Sequence, residues 1–447
     1  MSDTISIVPQ KPPELERRLL RQAQRISTPS TPDGSRAPTF ALYSLGCKVN
    51  QSDSHQIARL LLQRGFRRVA FRECADLYVI DTCTVTAEAD KKSRKIASRA
   101  HRNNPEALVA VTGCAVASDA AQFRRVVPDP LLLDNARKLE LPDLAVEELQ
   151  KRRRGTPEYA RLRAETASEP VPVGTRERAV LKVQDGCNHR CAFCIIPSVR
   201  GVSQTKSRAA ALAEARALVA EGAKEITVTG VSLGDYRNAE CGAASAELRR
   251  GRNANLCALL REVAEIEGVA RVRVSSLDPA DVDEEFLETV AHHPKICPHI
   301  HLALQGGSAA TLRRMRRRYT PELFLKWARR WREIRPDGAL TTDIIVGFPG
   351  ETEEDWQGSL QIAREAQFSA IHAFPYSPRP GTVAAGFETD LFIAPDVQKR
   401  RVAELLALAG ELSATYARQF VGRTMPVLIE RRDDRNLAIL GDSVGHL

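Results

Sequence analysis

From Val180 to Phe374 short strand-like runs alternate with helical patterns six times, and this repetition restricts the possible folds more than any other feature of the chain. The runs are Val180 to Gln184, Glu225 to Thr229, Val269 to Val274, His299 to Ala303, Leu340 to Val346 and Ser369 to Phe374, with helical stretches such as Ala209 to Glu221 and Pro321 to Ile334 between them. Such alternation predicts βα units that feed a parallel sheet. A closed TIM barrel takes eight units, so this count predicts an α/β fold with an open (β/α)6 partial barrel whose strand C-terminal ends face the ligands.

The N-terminal part alternates as well, through strand Phe40 to Ser44, helix Gln51 to Gln63, strand Leu77 to Asp81, helix Glu88 to Ala100 and strand Ala107 to Thr112. That pattern predicts a separate parallel-sheet α/β domain over 39–150. Before it, residues 1–38 carry the turn-rich run STPSTPDGS and read as a disordered leader. Residues 151–175, charged and Pro-containing, read as a linker to the barrel at 176–420. The run MPVLIERRDDRNLAILGD reads as one β-hairpin, so 421–447 is expected to be a short, truncated C-terminal β segment.

No stretch of about 18 apolar residues is present, and the N-terminus lacks a charged start followed by an apolar core, so neither a membrane span nor a signal peptide is expected. The expected location is cytoplasmic. In a reducing compartment the ten cysteines stay as thiols unless they bind metal or do chemistry. A net charge of +9 makes an anionic partner a question of where the charges cluster.

Two cysteine sets stand out. In DGCNHRCAFCIIPSVRG, Cys187, Cys191 and Cys194 follow a strand with Cys-x3-Cys-x2-Cys spacing. Three thiolates in one loop hold three irons of a [4Fe-4S] cluster and leave the fourth open to another molecule. Zinc is the alternative, but a structural zinc site takes four closed ligands, and His189 sits awkwardly between the cysteines. The second set is dispersed: Cys47 follows LYSLG, Cys83 follows LYVIDT and Cys114 follows LVAVTG, each just past a strand. Parallel strands share that edge, so these thiols either converge into a metal site or pack as small buried side chains.

The barrel loop resembles the radical S-adenosylmethionine superfamily, in which the open iron binds the amino and carboxylate groups of the cofactor and a 5′-deoxyadenosyl radical results. By that resemblance Thr229 and Gly230 fall at the methionine end of S-adenosylmethionine, Arg273, Ser275 and Gln305 are further contacts, and Gly347 belongs to the turn VGFPGET near the adenosine. The segments LGCKVNQSDS, DTCTVT, TGC, HIHLALQGGS, MRRRYT, IIVGFPGET and FPYSPRPGT narrow the resemblance to the methylthiotransferases, and Lys48-Val49-Asn50-Gln51 reads closest to the branch acting on threonylcarbamoyladenosine in tRNA. The resemblance implies two [4Fe-4S] clusters, the second on Cys47, Cys83 and Cys114, and two molecules of S-adenosylmethionine. It also implies a tRNA substrate, an electron donor such as flavodoxin or ferredoxin, a sulfur source, and a methylthio group placed on C2 of an adenine beside the anticodon.

Rival expectations are the same chemistry on isopentenyladenosine or on an aspartate of a ribosomal protein, and a non-catalytic iron–sulfur RNA-binding homologue. The sequence departs from the family at Ala115-Val116-Ala117, at Gly306 and in a longer RGVSQTKSR run. For RNA contact, RRMRRRY and ARRWR are expected to present Arg313, Arg316, Arg317, Arg329 and Arg332 on successive helices, with Tyr319, Trp327 and Trp331 available for stacking. Lys151 to Arg154 reads as a flexible electrostatic arm.

Overall fold

The structure is a computed structural model that describes residues 37–152, 177–236, 253–433 and 438–443. The proposed leader, most of the proposed linker and the tip of the C-terminal hairpin lie outside those residues. Lys151 and Arg152 belong to the helix Leu141–Arg152.

The N-terminal domain holds a parallel sheet of β1 (Thr39–Ser44), β2 (Arg67–Arg68), β3 (Leu77–Thr82), β4 (Leu108–Gly113) and β5 (Leu131–Leu133), ordered β2-β1-β3-β4-β5. The near-continuous apolar runs in β3 and β4 suit strands covered on both faces, and every residue of both is buried. Helices Lys48–Gln63 and Leu141–Arg152 pack on one face through Ile57, Leu61, Val146 and Leu149 against Phe40, Val79 and Leu108. Helix Ala87–Asn103 covers the other through Ile96, Ala97 and Ala100. Thr86 caps that helix by accepting from the Ala89 N–H at 3.1 Å, a contact that contributes about 1 kcal/mol.

The barrel region contains β6 (Arg178–Lys182), the short antiparallel pair β7 (Gln184–Asp185) and β8 (Gln204–Thr205), then β9 (Glu225–Thr229), β10 (Arg271–Val274), β11 (His299–His301), β12 (Ala339–Val346) and β13 (Ala370–Pro375). Six of these strands form the expected curved wall, in two three-stranded ladders, β6-β9-β10 and β11-β12-β13. Single bridges Val272–Ile296 and Leu277–Leu302 join the halves. Ile226, Val228, Val272, Val274, Leu340, Ile344 and Val346 pack outward into the helical layer. Strand alternation therefore turns Glu225, Thr227, Thr229, Arg271, Arg273, Thr341 and Asp343 toward the lumen. Helix Pro395–Arg418 packs on the outer side through Leu405 and Leu408, and β14 (Val427–Asp433) pairs antiparallel with β15 (Ala438–Ser443) as the expected hairpin.

A buried ion network joins the two domains. Lys138 donates to Asp53 at 2.8 Å and to Asp81 at 3.2 Å, while from the barrel Lys182 pairs with Asp53 and, at 2.8 Å, with Asp185. Charges this deeply desolvated persist only when each is paired. On the far side of the interface Arg379 donates to Thr84 at 2.7 Å and pairs with Asp90.

Candidate active site

The topology accounts for the dispersed thiols. β1 and β3 pair up to Ser44 and Asp81, and β3 and β4 pair up to Thr82 and Gly113, so Cys83 and Cys114 are the next residues along adjacent strands. Cys47 caps the helix Lys48–Gln63 after Gly46 (φ +94°), where a Cβ would lie 2.7 Å from Cys83 Cβ. Only glycine permits both that backbone and that approach. Asn50 then fastens the loop, its amide donating to Leu45 O at 2.8 Å and to Thr82 O at 2.9 Å. Cys83 and Cys114 are buried and Cys47 exposed, all three in electrostatic reach of one another.

The second set sits on the loop after β7. Cys187 N–H donates to Gly201 O at 3.1 Å, Cys194 N–H to Cys191 O at 3.1 Å, and Ala192 is tied to Met315 O at 2.9 Å, so the three thiols share one short, backbone-fixed arch. His189 turns away: its ring bonds Ser232 Oγ at 3.0 Å and faces Asp235 at 3.6 Å, which removes it from the thiol set that a zinc reading would need.

Both sets suit metal-bound thiolates. Burial pushes the Cys83 thiol up to about 11 and Cys194 up to about 12, and it raises Cys187 and Cys114 too. Such sulfurs stay protonated near neutrality unless a metal takes the proton's place. Polar hydrogens nevertheless point at them: Arg317 Nη1 lies 3.3 Å from Cys191 Sγ, Asn135 Nδ2 3.4 Å from Cys114 Sγ, and the His189 N–H 3.4 Å from Cys187 Sγ. Donors of this kind stabilise thiolate ligands.

Arg200 lies between the sets, its side chain 1% exposed. It donates to Asp185 at 2.8 and 2.9 Å, to Asp53 at 3.4 Å and to Asn50 Oδ1. Burial alone would lower its pKa, but Cys114, Asp185, Asp53 and Cys47 raise it well above the ordinary range. Cys114 also packs against Ile195, the residue after Cys194, and Val199 in the short helix Ile196–Arg200 that follows, so the two thiol loops share one interface.

The expected cofactor contacts are not all alike. Thr229 Oγ1 donates to Ser275 Oγ at 3.0 Å, uniting two strand ends, and Gly230 leaves room for Gln184, whose Oε1 would lie 2.8 Å from a Cβ there. Gln305 takes a left-handed φ of +60° four residues past the end of β11, where a single bridge ties it to Ile344 of β12. Arg273 sits deeper, on the lumen wall, 3.2 Å from Glu225. Gly347 (φ +74°) donates its N–H to Glu351 at 2.9 Å and lies under Gln398, a position that supports the turn.

The arginine expectations need correction. Helix Ala309–Arg314 ends at Met315, and a new helix starts at Pro321 with Thr320 as its cap, so Arg316, Arg317 and Arg318 form the turn between helices. Arg317 points inward, pairing with Asp278 at 2.8 Å and lying over the Tyr319 ring at 4.9 Å. Arg332 spends its donors on Gly338 O at 2.5 Å and Gln367 O at 2.6 Å. Tyr319 and Trp331 are buried, which removes them as stacking platforms, whereas Arg313, Arg316 and Arg329 are exposed. Reading the sequence missed Asn50, Lys138, Arg200 and the inward role of Arg317. The available signal was that Asn50 and Arg200 lie inside the same short motifs as the cysteines.

Residues 39–133 match the uncharacterized protein family UPF0004 and residues 181–363 the radical SAM superfamily. The chain is 36% identical over 396 residues to the threonylcarbamoyladenosine tRNA methylthiotransferase MtaB of Bacillus subtilis, covering 88% of this chain and 85% of that one. To the tRNA-2-methylthio-N(6)-dimethylallyladenosine synthase of Mycolicibacterium paratuberculosis it is 37% identical over 421 residues, covering 90% and 78%. A solved structure of the radical S-adenosylmethionine methyltransferase TsrM from Kitasatospora setae, with cobalamin and a [4Fe-4S] cluster bound, overlays with a TM-score of 0.54 at 15% identity, covering 83% of this chain and 91% of that one. That overlay carries the fold, and among the described residues no helix is long and apolar enough to cross a membrane. Identity at this level along most of both chains makes this protein a member of the radical S-adenosylmethionine tRNA methylthiotransferase family.

Proposed function

We propose that this chain adds a methylthio group to C2 of N6-threonylcarbamoyladenosine next to the anticodon of tRNA. In this reading Cys187, Cys191 and Cys194 hold one [4Fe-4S] cluster and Cys47, Cys83 and Cys114 a second, in the cytoplasm, with an electron donor of the flavodoxin or ferredoxin kind and a separate sulfur source. Residues 39–150, 176–420 and 421–447 are then the thiol-rich domain, the radical barrel and a short RNA-gripping segment. The observation that carries the reading is the contact of Cys114 with Ile195 and Val199, which brings the two thiol sets to a common interface.

When bound, the barrel cluster supplies the electron that cleaves S-adenosylmethionine, chemistry that belongs to the cofactor. The chain's own residues orient and insulate. Arg317 and Arg200 set positive charge beside Cys191 and beside Cys114 and Cys47, offsetting the negative charge of thiolate ligands. Thr229, Gly230, Ser275 and Gln305 line the strand ends where the cofactor is expected. The hydroxyl pair Thr229 and Ser275 suits its polar methionine end. Outside, Arg313 and Arg316 offer phosphate contacts that would add a salt-dependent, sequence-independent part of the affinity, and Arg329, which pairs with Glu365, would have to exchange that partner to join them.

Nucleoside analysis of tRNA from a deletion strain tests the assignment. The expected result is loss of 2-methylthio-N6-threonylcarbamoyladenosine and its return on complementation. Loss of the 2-methylthio-isopentenyl nucleoside instead would move the target to the other branch.

A further inference from the structure

We propose that His301, Asp343 and His372 form a zinc site on the lumen wall of the barrel, separate from both thiol sets, with one coordination position left open. The three residues stand on adjacent strands, β11, β12 and β13, in or just before the segments HIHLALQGGS, IIVGFPGET and FPYSPRPGT. Neither the proposed cluster ligands nor the expected cofactor contacts include them. The inference does not depend on which tRNA base is the target.

Strand register brings the three together. Asp343 is paired with His372 across β12 and β13, and His301 with Thr341, two residues before Asp343. Ile300, Leu302, Ile344 and Ile371 are buried in the outer apolar layer, so alternation along each strand turns His301, Asp343 and His372 to the opposite, lumen face. One nitrogen from each ring and one carboxylate oxygen lie within 4.8 Å of one another. The backbone beneath them is fixed: Gln305 N–H donates to Asp343 O at 2.8 Å and Leu302 N–H to Thr341 O at 3.0 Å.

The gap between His301 and Asp343 favours a metal over a plain ion pair. His301 Nε2 stands 3.4 Å from Asp343 Oδ2, outside the range of about 2.7–3.2 Å for an N–H···O hydrogen bond. A zinc ion that binds one nitrogen and one oxygen at about 2.1 Å in a tetrahedron holds them about 3.4 Å apart, whereas an octahedral ion at that bond length sets neighbouring ligands about 3.0 Å apart. The observed separation is the tetrahedral one. Two imidazoles and a carboxylate are also a donor set that zinc accepts.

The rings are oriented for the same purpose. His301 Nδ1 lies 2.9 Å from Thr341 Oγ1, which leaves Nε2 as the nitrogen that faces Asp343, and a ligating histidine is held in this way through its other nitrogen. Thr341 Oγ1 also bonds His299 Nε2 at 2.9 Å. The hydroxyl can pass its own hydrogen to His299 and accept from His301 Nδ1–H, the tautomer that frees the His301 Nε2 lone pair for an ion. The His301 and His372 rings lie 23° from parallel with centroids 6.0 Å apart, and His372 is exposed, so its ring has room to swing onto the ion. The fourth position opens on the lumen. Water or an oxygen of a molecule bound there would complete the shell, as in zinc sites that act on a ligand.

The test loads cluster-reconstituted holoenzyme with one equivalent of Zn2+, removes the excess by gel filtration, and reads zinc content by mass spectrometry together with the zinc K-edge absorption spectrum. Filled cluster sites keep the cysteines from competing, and zinc outranks iron(II) at a nitrogen and oxygen site. The expected result is about one zinc per chain with only nitrogen and oxygen neighbours at about 2.0–2.2 Å. His372→Asn and Asp343→Asn should lose that ion while the iron content stays at the wild-type value. His372 is exposed, so its variant leaves the core intact and keeps the test decisive. Thr341→Val, which removes only the hydroxyl behind His301, should weaken zinc binding by about 10- to 100-fold. A zinc shell with sulfur at about 2.3 Å, zinc retained in His372→Asn, or a wild type that holds no stoichiometric zinc overturns the proposal.

Discussion

Cys187, Cys191 and Cys194 occupy one loop, whereas Cys47, Cys83 and Cys114 come from three strands that meet only when the N-terminal sheet has formed. The first set keeps its spacing whatever the rest of the chain does. The second exists only as a product of the register between β1, β3 and β4 and of a glycine at position 46 that lets the Cys47 loop close on Cys83. A loop site can be loaded early, while a strand-edge site is coupled to folding of the whole domain. The two sets should therefore respond differently to mutation.

The largest difference is expected from the cysteines themselves. Cys191→Ala removes a ligand of the barrel set, and both 5′-deoxyadenosine and methylthiolated nucleoside should fall by about 10³-fold or more. Cys83→Ala should abolish only the methylthio product and leave cofactor cleavage running. Chromatography of both products in one reaction with dithionite and tRNA checks this. Reconstituted wild type should hold about eight irons and the Cys47/Cys83/Cys114 triple alanine variant about four. A Cys83→Ala enzyme that still methylthiolates at the wild-type rate would reduce the dispersed set to packing.

The comparison also explains what was legible in the sequence. The loop set shows in its spacing, and the dispersed set shows because each cysteine follows an apolar run that could only be a strand. Arg200, Lys138, Lys182 and Asp53 form one network from four separate segments, and such a constellation leaves no local pattern. The two-residue β2 and three-residue β5 are too short for periodicity to register. Arginine density in RRMRRRY and ARRWR suggested an outer surface, but Phe324, Leu325, Ala328 and Trp331 follow helical spacing and are buried, so that helix turns an apolar stripe inward. The connecting turn swings Arg317 beneath the cysteine loop, a direction set by tertiary packing.

An intermediate effect is expected at the point that joins the sets. Arg200→Met leaves Asp53 and Asp185 without a guanidinium, and breaking a buried pair costs about 3–5 kcal/mol. Thermal unfolding should drop accordingly, and the iron of the dispersed set should be lost before that of the loop set. Burial by itself would raise the Asp53 pKa, but Lys138, Lys182 and Arg200 hold it well below the usual carboxylate range. Its stabilising contribution is thus full above the unfolded value of about 3.9 and is lost as pH falls toward the depressed folded value. Removing Arg200 should flatten that acid limb. An unchanged acid limb would mean that the two lysines hold Asp53 without help.

The smallest and sharpest change is Asn50→Ala. Among the described residues Asn50 forms no hydrogen bond to a thiol, yet its amide donates to Leu45 O and Thr82 O, the carbonyls that flank the Cys47 loop and immediately precede Cys83. The variant strands two buried acceptors, a loss of about 2 kcal/mol, and frees the loop to move away from β3. If the dispersed site is built by sheet register, this variant should fold and keep the barrel iron while the second iron set becomes labile to a chelator. Cofactor cleavage should then outlast methylthio transfer as the chelator acts, a split that a general loss of stability would not produce. Equal lability of both iron sets would mean that Asn50 supports the domain interface through Arg200, whose guanidinium it also accepts, and that the two sites stand or fall together.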